Sequence, residues 1–172
     1  MPLYTDLRPS IKTGDCILWE GHGAISRLIR VFSQFSHASL VVRLDKYSAF
    51  VNRVFLVEAL ANGLQLRLMS YKLEYNKGRA YLFQPAGVSE KQREKIQEMA
   101  LIDCAKNIPY DYASLFRNAL GRVNSNVRSY FCSEFVWDKW WQVSLVKGQV
   151  APRPGDIPKW VQGRLTEIVR DT

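Results

Sequence analysis

Residues 36–68 read SHASLVVRLDKYSAFVNRVFLVEALANGLQLRL and contain three short apolar runs separated by polar breaks. The runs at 39–42 and 54–58 are rich in Val, Leu and Phe, and residues 64–68 alternate apolar with polar side chains. Such alternation is typical of a half-buried strand. The Asn-Gly pair before the last run favours a tight hairpin turn. This stretch therefore predicts neighbouring antiparallel strands.

The flanking sequence extends this sheet and adds helices. Short strands are predicted at 16–19 and 79–84, giving a sheet of about four or five strands. Helices are predicted over 24–35, from a capping box at Ser89 to about residue 105, and from about residue 131. The proline-containing tail after about residue 150 is expected to be irregular. The fold class is α+β, with a small antiparallel sheet packed against helices.

The composition is that of a single globular domain spanning residues 1–172. Hydrophobic residues make up 47% of the 172 residues, which supports a substantial buried core. No secretory signal and no apolar run of membrane-spanning length are recognisable. We therefore expect a protein that is cytoplasmic as synthesised, with another export route needed for action elsewhere.

Charge narrows the classes of partner. The formal net charge is +8, and the basic residues form no long run, which argues against a specific nucleic-acid tail. A basic surface favours contact with an anionic membrane or an anionic cell-wall polymer. There are three cysteines, two histidines and no Cys-x-x-Cys pair, so neither a disulfide framework nor a structural zinc site is predicted.

Among the cysteines, Cys132 is the candidate nucleophile. It falls in the first turn of a predicted helix, where unpaired backbone N–H groups and the helix dipole stabilise a thiolate. The same N–H groups could hold an oxyanion. Cys16 lies in a short strand and Cys104 on the apolar stripe of a helix, so both are expected in the core.

A thiol nucleophile needs a base and a group that orients it. His22 is flanked by glycines, whereas His37 opens a strand that could hold its ring rigidly, which makes His37 the better candidate. Glu58 ends an apolar strand and would lie beside His37 if the two strands are neighbours. Asp45 and Asn52, in the loop between those strands, are the weaker alternatives.

Five motifs in order resemble a known family: Gly14-Asp15-Cys16-Ile17-Leu18, Ile25-Ser26-Arg27-Leu28-Ile29, Ser36-His37-Ala38-Ser39-Leu40-Val41-Val42, Val57-Glu58-Ala59 and Phe131-Cys132-Ser133-Glu134-Phe135-Val136. Over about residues 14–160 the chain is similar to the circularly permuted branch of the NlpC-type papain-like cysteine hydrolases, the YiiX/YebB-like proteins. Lecithin:retinol acyltransferase is a more distant relative of that branch. Histidine precedes cysteine here, as in that branch.

The resemblance implies a circularly permuted papain-like fold with a catalytic cysteine at a helix N-terminus. Carried over by position, its catalytic residues are Cys132, His37 and Glu58. A tyrosine near the oxyanion in NlpC-type enzymes has its counterpart in Tyr110, although the 22-residue gap to Cys132 is longer than usual. Ser39 stands where glycine is common in the family.

Three functions remain open at this point. The leading one is a cysteine peptidase or amidase that acts on cell-wall-type peptides or similar amides through an acyl-thioester, without metal or organic cofactor. The second is a lipid acyl hydrolase or acyltransferase that uses the same Cys-His-Glu triad on an ester. The third is a non-catalytic module that keeps the fold.

Overall fold

The computed structural model describes residues 3–21, 33–60, 62–76, 78–106, 132–148 and 150–168. Its strands are β1 (Cys16–Glu20), β2 (His37–Arg43), β3 (Val54–Leu60), β4 (Gly63–Leu68), β5 (Arg79–Pro85) and β6 (Gly163–Ile168). Its α-helices are α1 (Tyr4–Leu7), α2 (Met69–Tyr75), α3 (Glu90–Ala105), α4 (Cys132–Gln142) and α5 (Ile157–Trp160). Short 3-10 turns occupy Arg8–Ser10, Ser48–Phe50 and Pro154–Asp156.

The described strands form one antiparallel sheet in the order β4-β3-β2-β1-β5-β6. The α+β prediction is confirmed, and so is the hairpin between β3 and β4, in which Leu60 pairs with Gly63. Gly63 has a φ of 100°, a left-handed backbone conformation that glycine adopts without steric cost.

Helices cover both faces of the sheet. Alternate residues of β2 divide between two buried clusters: Ala38, Leu40 and Val42 pack with residues of α3 and α4, whereas Val41 packs with residues of α1 and α2. Because successive strand residues point to opposite faces, His37 and Ser39 share the face of Val41. This division decides which helix can reach each polar side chain.

The prediction of an irregular tail after residue 150 is wrong, because this segment contains helix α5 (Ile157–Trp160) and strand β6. Residues 163–168 form β6, which pairs with β5 from Ala80↔Ile168 to Pro85↔Gly163. The alternation in this strand is weak because five of its six residues are exposed or only partly buried, including the apolar Leu165, which is 40% exposed. An edge strand of this kind carries little hydrophobic pattern for a sequence analysis to detect.

The helix predictions have mixed outcomes. The capping box at Ser89 and the helix to Ala105 are confirmed, since Ser89 and Gln92 exchange both capping bonds. Most of the helix predicted over 24–35 lies outside the described residues, and its last three positions are not helical. There the chain is already entering the sheet, because the Ser36 N–H donates to the Trp19 carbonyl and Phe35 is buried.

Helix α2 was not predicted, although Met69 and Leu73 stand at helical spacing and are both buried. No helix within the described ranges is long and apolar enough to cross a membrane.

Trp140 anchors α4 to the sheet. Its side chain has no exposed surface, its ring packs on Phe83, and its Nε1–H donates to the Gly14 carbonyl at 2.8 Å. Gly14 lies two residues before β1, so this bond ties the helix that begins with Cys132 to the start of a central strand.

We expect Trp140→Phe to lower the free energy of unfolding by about 1–3 kcal/mol, because the Gly14 carbonyl loses a buried donor and the smaller ring leaves a gap. Urea unfolding followed by circular dichroism measures this. The neighbouring Trp141 is 38% exposed, so Trp141→Phe is the matched control and should change stability far less. Equal losses for the two variants would contradict the anchoring role.

Candidate active site

Cys132 is the first residue of α4 and is buried, with 6% of its surface exposed. Its sulfur accepts hydrogen bonds from the backbone N–H groups of Ala38 and Ser133 and is hydrogen-bonded to the His37 ring. Burial by itself raises the pKa of the thiol, but the charge and hydrogen bond of His37, with the two N–H groups, outweigh it. The net result is a pKa below the ordinary value of 9.0, which favours the thiolate.

His37 is the first residue of β2 and lies between the thiol and a carboxylate. Its Nε2 is 3.0 Å from Glu58 Oε1, which leaves Nδ1 as the ring nitrogen for Cys132. Burial alone would lower the pKa of His37. The thiolate of Cys132, its hydrogen bond, and then the hydrogen bond and charge of Glu58 reverse this and raise the pKa to about 9.

The thiol and the carboxylate reach His37 from opposite faces of the sheet, at the N-terminal end of β2. Pairing between β2 and β3 begins only at Leu40↔Val57, and Ala38, which precedes that stretch, gives its N–H to Cys132. Helix α4 packs on the face of Ala38, whereas Glu58 shares the other face with His37. The thiol therefore reaches the imidazole at the point where the two strands are not paired.

Glu58 has no exposed surface, and its Oε1 takes three donors. Besides His37, Oε1 is 2.8 Å from Ser39 Oγ and 3.2 Å from Lys72 Nζ, while Oε2 has no partner among the described residues. Burial alone would raise the pKa of Glu58, but the hydrogen bond and charge of His37, the charge of Lys72 and the hydrogen bond of Ser39 lower it to about 2. The carboxylate is therefore ionised at neutral pH.

Sequence reasoning missed Ser39, Lys72 and Trp19 as parts of this site. The Trp19 Nε1–H donates to Ser39 Oγ at 2.8 Å, and Lys72 Nζ lies 5.4 Å from the centroid of the Trp19 ring. Strand parity could have found Ser39, since it stands two residues after His37 and so points to the same face. Lys72 carries no such signal, because the helix that holds it was not predicted.

The other candidates lie elsewhere or outside the described residues. Asp45 is paired with the Arg43 guanidinium at 2.9 Å and accepts the Asn52 N–H, at the opposite end of β2 from His37. Tyr110 and His22 lie outside the described residues. Within the described part of the chain, no group of three or more His, Cys, Asp or Glu residues could hold a metal ion.

Comparison with solved structures finds a similar chain described as the metalloprotein YiiX from Escherichia coli O157:H7. The TM-score is 0.60 at 20% sequence identity, and the match covers 77% of this chain and 66% of YiiX, so this chain spans just under two thirds of that protein's length. At this identity the likeness shows that the chain has a YiiX-like fold. No protein-family model matches the sequence, and no curated protein matches it.

The three thiols should react at different rates. Burial raises the pKa of Cys16, and burial with the charge of Asp103 raises the pKa of Cys104 to about 11. Iodoacetamide at pH 7 should therefore label Cys132 at least about tenfold faster than Cys104, which is the less buried of the two. Peptide mass spectrometry of the folded protein measures the rates. Faster labelling of Cys104 would contradict an activated Cys132.

The Glu58 carboxylate should also make stability depend on pH. Its pKa falls from 4.5 in the unfolded chain to about 2 in the folded protein, so the stabilisation is complete above pH 4.5 and is lost as the pH falls towards 2. The shift corresponds to about 3 kcal/mol. Denaturant unfolding should show the wild type losing its advantage over Glu58→Gln across this window. A difference that does not change with pH would contradict the assignment.

Proposed function

We propose that this chain is a thiol hydrolase in which Cys132 is the nucleophile, His37 the general acid and base, and Glu58 the group that orients His37. The observation that carries the proposal is the continuous hydrogen-bonded chain from the Cys132 sulfur through the His37 ring to Glu58 Oε1. A buried thiol with a lowered pKa, a neighbouring imidazole and a fixed carboxylate are what nucleophilic catalysis by cysteine requires.

The proposed reaction starts with the proton on His37 and with Cys132 as a thiolate. The Cys132 thiolate attacks the substrate carbonyl carbon, and the helix N-terminus offers backbone N–H groups to the oxyanion. His37 then gives its proton to the leaving amine as the carbon–nitrogen bond breaks, which leaves an acyl-thioester. Water attacks the thioester with neutral His37 as its base, and the thiolate leaves with the acid released.

The YiiX-like fold supports placing the chain among permuted papain-like cysteine hydrolases. YiiX itself is described as a metalloprotein, which raises the question of whether the described residues around His37 fit a metal ion. They do not, because the carboxylate oxygen beside His37 already contacts the Lys72 ammonium and the Ser39 hydroxyl. No step of the proposed reaction is therefore routed through a metal.

For the substrate we propose an amide of cell-wall-peptide type. The net charge of +8 favours an anionic polymer as the carrier of that amide. The alternative, lipid ester cleavage or acyl transfer, uses the same attack and differs in the group released. Separate assays of amine release from anionic cell-wall peptides and of fatty-acid release from phospholipid vesicles distinguish the two.

We expect Cys132→Ala to abolish turnover and Glu58→Gln to lower kcat by about 10²–10⁴-fold, because the amide does not stabilise imidazolium and can favour the wrong tautomer. Asp45→Asn is the matched control, since this acid is paired with Arg43, and it should leave turnover unchanged. Circular dichroism checks the fold of each variant.

Three outcomes would overturn the proposal. Turnover that survives in folded Cys132→Ala would show that Cys132 is not the nucleophile. If Glu58→Gln leaves turnover unchanged and Asp45→Asn abolishes it, the residue that orients His37 lies at the other end of β2. Absence of turnover on both substrate classes, together with an unreactive Cys132, would favour a non-catalytic module.

A further inference from the structure

Lys72 contacts the same carboxylate oxygen as His37 does. Both nitrogens lie within 3.2 Å of Glu58 Oε1, whereas Oε2 has no partner among the described residues. We propose that Lys72 is a positioning residue that, by sharing this oxygen, limits how tightly Glu58 holds the proton of His37. The proposal deepens the proposed function and rests on it.

The position of the ammonium is determined by the fold. Met69 and Leu73 bury one side of α2 against the sheet, and between them Lys72 is only 23% exposed and lies over the Trp19 ring. Trp19 in turn donates to Ser39, which donates to Glu58. The Trp19 ring and the Glu58 carboxylate thus hold the lysine from two sides, and Ser39 links these two groups to each other, unlike the surroundings of a solvated surface lysine.

The contact of Lys72 with the same Glu58 oxygen as His37 matters because His37 has two opposed tasks. It must carry a proton when the amine leaves, and it must be neutral when water attacks the thioester. A buried carboxylate with no other cation would stabilise imidazolium strongly and slow the second step. A second cation within about 6 Å of the ring, bound to the same oxygen, opposes that stabilisation through charge repulsion.

The charged and titratable groups around this pair are few in the described structure. Cys132 of α4 and Glu58 of β3 face His37, and Lys72 of α2 faces Glu58. On β4, Gln65 pairs with Glu58 across the strands and accepts from the Arg67 guanidinium at 2.8 Å. Lys72 is the cation in direct contact with the carboxylate, so removing its charge should change the pH at which His37 titrates.

The experiment follows the ring of His37 by NMR. The chain has two histidines, so ¹⁵N-histidine spectra are assigned with His37→Gln. Titrations are made on the full chain carrying Cys132→Ala, so that the ring responds to Glu58 and Lys72 without the thiolate. Lys72→Met keeps the alkyl stem over Trp19 and removes the charge, Lys72→Arg keeps the charge, and Lys91→Met on exposed surface is the matched control.

We expect Lys72→Met to move the His37 titration to higher pH by at least about half a unit, and Lys72→Arg and Lys91→Met to leave it near the parent value. If Lys72→Met does not fold, Lys72→Gln provides the uncharged variant. A His37 titration that coincides in parent and uncharged variant, with the fold intact, overturns the proposal.

Rejection of the Lys72 role can be distinguished from rejection of the thiol hydrolase. An unreactive Cys132 in the alkylation experiment would reject the thiol hydrolase, whatever the His37 titration shows. A reactive Cys132 with a His37 titration that ignores Lys72 would keep the hydrolase and reject only the role of Lys72.

Discussion

The Glu58 carboxylate has no exposed surface, so water cannot stabilise its charge and the protein must supply the donors. A buried carboxylate without partners would be neutral, because burial disfavours the charged form. Here an imidazole, a hydroxyl and an ammonium meet on Oε1, and each comes from a side chain that the sheet or α2 holds in place. The orientation of His37, and through it the state of Cys132, depends on this one ionised oxygen.

The sheet makes that arrangement possible because its two faces carry different partners. Helix α4 brings the thiol from one face, and α2 brings the ammonium to the other. His37 can contact both the Cys132 thiol and the Glu58 carboxylate because it is the first residue of β2 and precedes the stretch paired with β3. The position of the ring at a strand end is therefore as important to the proposed chemistry as its identity.

The sequence predicts the antiparallel sheet because 36–68 carries strand periodicity and a hairpin signal. It also indicates Cys132, His37 and Glu58 as candidate site residues, since a helix start, a strand start and a carboxylate that closes an apolar run are visible as local patterns, although β3 continues past Glu58 to Leu60. Lys72 and Ser39 could not be assigned, because their roles depend on which strands are neighbours and where α2 docks. Strand β6 was missed for a related reason: its mostly exposed side chains follow no clear alternation.

The central claim is that Cys132 is held as a thiolate by protonated His37. Thiolate absorbs near 240 nm, so a pH titration of wild type minus Cys132→Ala isolates the ionisation of this one sulfur. Because His37 lowers the pKa of the Cys132 thiol, the account predicts that the thiolate signal develops at a pH below the ordinary thiol value of 9.0. A signal that first develops at or above that value would show an ordinary buried thiol and would contradict the account.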